Sequence, residues 1–254
     1  MKTKTPGDRG PPGGLLGVPF SVATAICLLG VNMSIPHRAR AGFYVDGFNL
    51  YHSIDDLGKP YLKWLSLARL AARLVKPFSA DVVEIVFCTA FFPGDFSKRK
   101  RHEAYIGALE AEGVKVVVGH TTLEDANCHR CDHLWKQPRE KETDINVALS
   151  LFEAAASDRI DTAFLVSADT DQAATLKFMR RCFPAKQTIV LTPPGRNTPA
   201  HLQSPLASKS VRISESDLDL SILPPMVKPA TGRLITRPIE YQPPTGWLHP
   251  DERR

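Results

Sequence analysis

The stretch TAFLVSADTDQAATLKFMRR, residues 162–181, decides the fold. Its opening residues are apolar without alternation, as in a strand covered on both faces. Asp169 and Asp171 follow at once, and beyond Thr170 the chain turns into the helix-like segment DQAATLKFMRRCF. A buried strand running through an acidic turn into a helix is half of a βαβ unit.

The same alternation extends outward in both directions. GFYVD (42–46) is a short apolar strand, and KWLSLARLAARLV (63–75) brings Trp64, Leu65, Leu67, Leu70 and Leu74 near helical spacing. DVVEIVFCTAFF (81–92) is a second strand, a helix is expected from about Phe96 to Glu112, and VKVVVG (114–119) is a third strand. KETDINVALSLFEAAAS (141–157) reads as a helix with Ile145, Ala148, Leu149 and Phe152 on its apolar face. QTIVLTPP (187–194) is a further strand, and PAHLQSPLASKSVRI (199–213) reads as a short helix and a last edge strand. Between Thr121 and Glu140 the pattern breaks into a polar, irregular segment. The fold class expected is α/β, with a mostly parallel central sheet.

Three regions follow: an N-terminal extension over 1–40, one α/β domain over 41–215 and a proline-rich tail over 216–254. The tail is either disordered or laid in extended form over the domain, and Ile239, Tyr241 and Trp247 favour docking. At the other end Lys2, Lys4 and Arg9 precede the apolar run GGLLGVPFSVATAICLLGV (13–31), the outline of a signal peptide. Pro19, Ser21 and Thr24 interrupt that run, and His37, Arg38 and Arg40 crowd its would-be cleavage site. The preferred expectation is a biological start at Met33 and no membrane; an export or anchor segment and a disordered extension stay open. Five cysteines, an odd number spread over 254 residues, argue against a disulfide framework and for a reducing, cytoplasmic compartment. A formal charge of +5 suits a polyanionic partner without naming one.

Chemistry concentrates on four carboxylates. Asp46 closes the first strand, Asp144 opens a helix, and Asp169 and Asp171 follow a strand. In a parallel sheet the carboxyl ends of the strands share one edge, where α/β proteins hold ligands. Carboxylates gathered there repel one another unless a cation neutralises them, and hard oxygen donors suit Mg²⁺ or Mn²⁺. Such a site points to hydrolysis of a phosphodiester by a metal-activated water. Taken singly, each Asp is more often a helix cap than a ligand. No Ser-His-Asp pattern, GxxxxGK[ST] loop or GxGxxG fingerprint offers other chemistry. Gly47 is expected to free the turn that brings Asp46 and Asn49 to one crevice.

FYVDGFNLY (43–51), EKETDINVAL (140–149) and FLVSADTDQAATLKFMRR (164–181) resemble, in order and spacing, the signature blocks of the NYN domain, a bacterial relative of PIN-type nucleases. The resemblance covers about Ala41 to Ile213. It implies a PIN-like three-layer fold, a divalent-metal site, ribonuclease activity on RNA and a homodimer. It makes Asp46, Asp144, Asp169 and Asp171 the metal ligands and catalytic carboxylates, adds Asn49 to the catalytic set, and gives Thr143 and Ser167 supporting roles. Two residues depart from the pattern: Ala168, where relatives often carry glycine, and Gln172, where an apolar or aromatic residue is commoner.

CHRCDH (128–133) has one C-x₂-C pair, and His120, His129 and His133 lie near enough in sequence to complete a zinc tetrahedron with Cys128 and Cys131. Relatives often carry such a pair just before the KETD block, so a Zn²⁺-stabilised loop stands beside free thiols as a reading. SKRKRH (97–102) places Lys98, Arg99, Lys100 and Arg101 at a helix start, where cations oppose the helix dipole; RNA phosphates are the functional partner and a solvated face the plain one. Phe48, Tyr51 and Trp135 are candidate base-stacking rings, with packing as the alternative. The expectation is a divalent-metal-dependent ribonuclease; the alternative is a weakly catalytic or non-catalytic RNA-binding module of the same fold. A Toprim-like enzyme requires a glutamate where Asp46 stands, and a haloacid-dehalogenase-like one requires a second Asp that VDGFN lacks.

Overall fold

The computed structural model describes residues 38–253 apart from 92, 128, 129 and 132. The expected start at Met33 and the apolar run before it lie outside the described residues. Within them no helix is long and apolar enough to cross a membrane.

Seven strands form one sheet in the order β4-β3-β2-β1-β5-β6-β7. They are β1 (Ala39–Asp46), β2 (Ala80–Ala90), β3 (Lys115–Asn127), β4 (Leu134–Lys141), β5 (Thr162–Val166), β6 (Gln187–Thr192) and β7 (Lys209–Arg212). All neighbours are parallel except β3 and β4. The pleat alternates side chains between two cores. Phe43 and Val45 join a cluster with Leu50, Leu70 and Leu109 from α1 (Gly47–Asp56), α2 (Leu67–Val75) and α3 (Phe96–Ala111). Tyr44 turns the other way and packs with Val147, Leu151 and Leu176 from α4 (Thr143–Ala156) and α5 (Gln172–Cys182). The result is the mostly parallel, three-layer α/β arrangement of a PIN-like fold. From β1 the chain builds outward to β2 and β3, then returns to β5 on the other flank. The carboxyl ends of β1 and β5 therefore form the point where strand order reverses.

Two elements differ from the sequence expectation. The segment expected to be irregular between Thr121 and Glu140 is largely a hairpin: β3 runs on to Asn127 and pairs antiparallel with β4, from His120↔Lys141 to Asn127↔Leu134. Its described side chains are exposed or half-buried, so no apolar face announces it in the sequence. The inward face of α4 is also not the one expected. Ile145 and Leu149 are 60% and 58% exposed, while Val147, Leu151 and Ala154 are buried. The helix carries two apolar stripes, and helical spacing alone fits either.

The tail docks. Ser66 donates its amide to Ser221 O (2.7 Å), Leu65 and Ile222 form an antiparallel bridge, and Trp64 Nε1 donates to Pro224 O (2.8 Å). After α6 (Glu215–Asp219), β8 (Met226–Val227) pairs with β9 (Ile235–Thr236), and Trp247 Nε1 donates to Asp219 Oδ1 (2.7 Å). Tyr241 is half-buried, but Ile239, expected as an anchor, is 81% exposed.

Gly47 serves a different need from the one expected. It does not adopt positive φ; instead a Cβ there would lie 2.6 Å from the Cys88 carbonyl oxygen and 2.8 Å from the Phe87 ring. Gly47→Ala is therefore expected to wedge the end of β1 from β2 and cost about 1–3 kcal/mol. Urea unfolding beside wild type checks this.

Candidate active site

At the end of β1 the Asp46 side chain is 3% exposed. It caps α1 through Oδ1, which accepts from the Asn49 amide (2.9 Å), so the plain helix-cap reading of this residue is met. Its Oδ2 accepts from Ser167 Oγ (3.0 Å), a second bond that no helix start requires. Burial, reinforced by the nearby Asp144 and Asp169, pushes the carboxyl up to about 7 against the opposing hydrogen bonds.

The β5–α5 turn is laced to the same residues. The Asp169 amide donates to Ser167 Oγ (3.0 Å), and Asp169 Oδ1 accepts from the Asp171 amide (2.9 Å). Asn49 Oδ1 accepts from the Ala168 amide (2.9 Å), tying the start of α1 to this turn. Asn49 is thus occupied in positioning. Ala168 does not adopt positive φ, so alanine in place of the family's glycine adds no backbone strain. Asn49→Ala strands the Ala168 amide and is expected to cost about 1–3 kcal/mol. Chemical denaturation measures it, and hydrogen exchange at the 167–171 turn should quicken.

Asp144 sits half-buried in the first turn of α4, and burial raises its carboxyl, with Asp169, Glu140 and Asp171 adding to the effect. Gln172, buried on α5, donates Nε2 to Asp144 Oδ1 (3.1 Å) and accepts from Thr175 Oγ1 (2.9 Å). The apparent departure from the family pattern is therefore a positioning group for Asp144. Sequence reading missed that role, and the one signal was a polar residue at a place where apolar ones prevail. Thr143 Oγ1 is buried with no hydrogen-bond partner, while the Thr143 amide donates to Glu140 Oε1 (2.7 Å). Asp171 stands exposed before α5 and its side chain makes no capping bond. Asp46, Asn49, Ser167, Asp169 and Asp171 thus form one hydrogen-bonded chain, and Gln172 brings Asp144 alongside it.

Among the described residues no three His, Cys, Asp or Glu are drawn together closely enough to hold a metal ion. The donor set nonetheless suits a hard divalent cation. Mg²⁺ takes one or two carboxylates and keeps several waters, so an open edge of oxygen donors serves it. The burial that chiefly raises Asp46 and Asp144, and the repulsion that adds to it, are also what such a cation would offset.

The zinc expectation fares differently. Cys128 and His129 lie outside the described residues, and Cys131 is an exposed free thiol. His120 begins the hairpin ladder and pairs with Glu142 (3.0 Å). Strand rise puts it about 23 Å from the β3 end at Asn127, so His120 is removed from any ligand set at the hairpin tip. His133 stacks on Trp135 at 6.2 Å.

The cationic residues stand at the start of α3, which Asp95 caps through the Lys98 amide (2.8 Å). Lys98, Arg99 and Arg101 line a cleft of about 250 Å³ between α1 and α3, which Gly47, the neighbour of Asp46, also lines. Lys100 turns aside, its ammonium 4.5 Å over the Phe96 ring.

This chain is 26% identical over 203 residues to 6-hydroxy-3-succinoylpyridine 3-monooxygenase of Pseudomonas putida, an alignment covering 66% of the chain and 64% of that protein. It thus spans less than two thirds of that relative's length. Among solved structures it is similar to a protein of unknown function from Vibrio parahaemolyticus, with a TM-score of 0.47 and 19% identity, covering 75% of this chain and 100% of that one. The sequence profile of the NYN domain matches residues 40–206, and the chain belongs to the NYN domain family.

Proposed function

We propose that the protein is a divalent-metal-dependent ribonuclease that hydrolyses RNA phosphodiester bonds at the carboxylate edge. One observation carries the reading: a carboxylate buried where strand order reverses, held by two donors and raised chiefly by that burial, with Asp144 and Asp169 adding to it. A fold gains nothing from such crowding, and strongly perturbed carboxyls in a cleft mark functional sites.

When bound, Mg²⁺ or Mn²⁺ supplies Lewis acidity toward water and a phosphoryl oxygen. The chain's own residues do the rest. Asn49 and Ser167 fix Asp46, Ser167 and the Asp171 amide fix Asp169, and Gln172 fixes Asp144. These three carboxylates are the proposed ligands. Asp171, exposed and uncapped, is the carboxylate free to turn toward the incoming strand and accept a proton from attacking water. Lys98, Arg99 and Arg101 supply sequence-blind phosphate contacts. An RNA substrate also fits the cytoplasmic location expected from the cysteines.

The test is cleavage of labelled single-stranded RNA in Mg²⁺, Mn²⁺ or EDTA, beside Asp169→Asn. Cleavage should require metal and fall at least about a hundredfold in the variant, as for loss of one charged group in a catalytic site. Metal-independent or variant-insensitive cleavage removes the reading. The Pseudomonas relative favours a second reading, hydroxylation of a small heteroaromatic acid. That reaction puts one oxygen atom of O₂ into the substrate and reduces the other to water with two electrons from an added reductant such as a reduced nicotinamide. Oxygen uptake dependent on both the acid and the reductant, with RNA left intact, would select it.

A further inference from the structure

The cleft beside Gly47 has features that phosphate contact alone does not explain. Its walls are rings: Tyr51 from α1, Phe87 from β2, Tyr105 from α3 and Tyr241 from the tail. Among the described residues four cations, Lys63, Lys98, Arg99 and Arg101, line it against a single carboxylate, Asp55, which is bound to Lys63. Its volume of about 250 Å³ lies just below the ~300–1,000 Å³ of ligand sites, room for one small planar group and its arm rather than a chain. Gly47 lines it and follows Asp46 in the chain, so the cleft begins one residue from that carboxylate, which does not itself line it.

The tail completes this cleft in two ways. Tyr241 closes one wall, and Glu240 Oε1 accepts from Arg101 Nη1 at 2.8 Å. The Arg101 guanidinium is only 20% exposed and is also held by Ser97 Oγ (2.7 Å), so it is aimed rather than free to swing. A planar fork fixed in this way matches a phosphate as well as a carboxylate. Lys98 and Arg99 make only exposed pairs with Asp95 and Glu103, which yield readily to a stronger anion.

We infer that the cleft binds one nucleotide of the RNA, its base among the tyrosine and phenylalanine rings and its phosphate on Arg101, and that Glu240 holds the phosphate position in the free protein. The inference rests on the ribonuclease reading and adds a base-binding subsite built partly from the tail. Rings supply stacking that any base satisfies, and the cations supply the charge complement, so a nucleotide should bind better than either half alone. Displacing Glu240 makes the subsite salt-sensitive and sets its affinity.

The test is calorimetric titration of the full chain, in EDTA to prevent cleavage, with uridine monophosphate, uridine, inorganic phosphate and nicotinate. The nucleotide should bind about tenfold more tightly than uridine or phosphate, and Arg101→Gln and Tyr241→Ala should each weaken it about tenfold. Glu240→Gln should strengthen it severalfold, a gain that damaged folding cannot imitate. Equal binding of uridine and its monophosphate, no gain in Glu240→Gln, or tighter binding of nicotinate would overturn the inference. RNA cleavage in Mn²⁺, scored separately, keeps the two readings apart. Cleavage with no nucleotide binding sinks the subsite alone, and nucleotide binding by a protein that cuts no RNA leaves the subsite and sinks the nuclease.

Discussion

Asp46→Asn is expected to make the protein more stable at neutral pH while removing the metal-dependent cleavage proposed for it. The substitution is nearly isosteric: the amide oxygen can still accept from the Asn49 amide, and Ser167 Oγ can accept from the new NH₂. What disappears is a buried charge. The wild-type carboxyl is raised from 3.8 to about 7 in the folded protein, chiefly by burial. Between those values the native state keeps a proton that the unfolded chain has lost. Stability is therefore full below about pH 4 and falls as pH rises toward about 7. That interval corresponds to about 4 kcal/mol at most, so Asp46→Asn should gain about 2–4 kcal/mol at pH 8 and flatten the pH profile between 4 and 7. Urea unfolding from pH 4 to 8 in EDTA checks it. In Mn²⁺ the order should narrow or reverse, because binding to the native state stabilises only the chain that keeps the ligand. A variant less stable than wild type at pH 8 in EDTA would show that the crowded edge is no burden.

Trp64→Ala carries the largest expected loss of stability. The ring is fully buried between the sheet-side helices and the tail, and its Nε1 donates to Pro224 O. Truncation should cost about 3–5 kcal/mol from the cavity alone. The adjoining backbone bonds, Ser66 to Ser221 and Leu223 to the Trp64 carbonyl, hold the same junction, so the tail should loosen with it. Limited proteolysis should then cut beyond residue 220 in the variant and spare wild type. Tyr241 leaves the cleft wall when the tail lifts, so the variant ought to weaken the proposed nucleotide binding more than a core substitution far from the tail does.

The strand grammar was plain because β1 and β5 are covered on both faces, and only runs such as FYV and TAFLV suit that position. The four carboxylates were visible for the complementary reason: nothing in a core explains them. The hairpin was not visible, since β3 and β4 bury no common face and leave no alternation to read. The inward side of α4 was misread because Ile145 with Leu149 and Val147 with Leu151 make equally good stripes, and only the neighbouring sheet chooses between them. Gln172 looked like a deviation because its partner, Asp144, lies 28 residues away on another helix. Tyr241 announced docking but not its place, and Ile239 announced docking that does not occur. The cleft, made from five separated segments, has no sequence signature.

The most direct test of the central claim is cleavage of single-stranded RNA with Mn²⁺ in water enriched in the heavy oxygen isotope, with Asp171→Asn alongside and products read by mass spectrometry. The account predicts phosphate-terminated products that carry heavy oxygen from water, lost in EDTA and lost in the variant. Intact RNA, or products formed equally by Asp171→Asn, would contradict it.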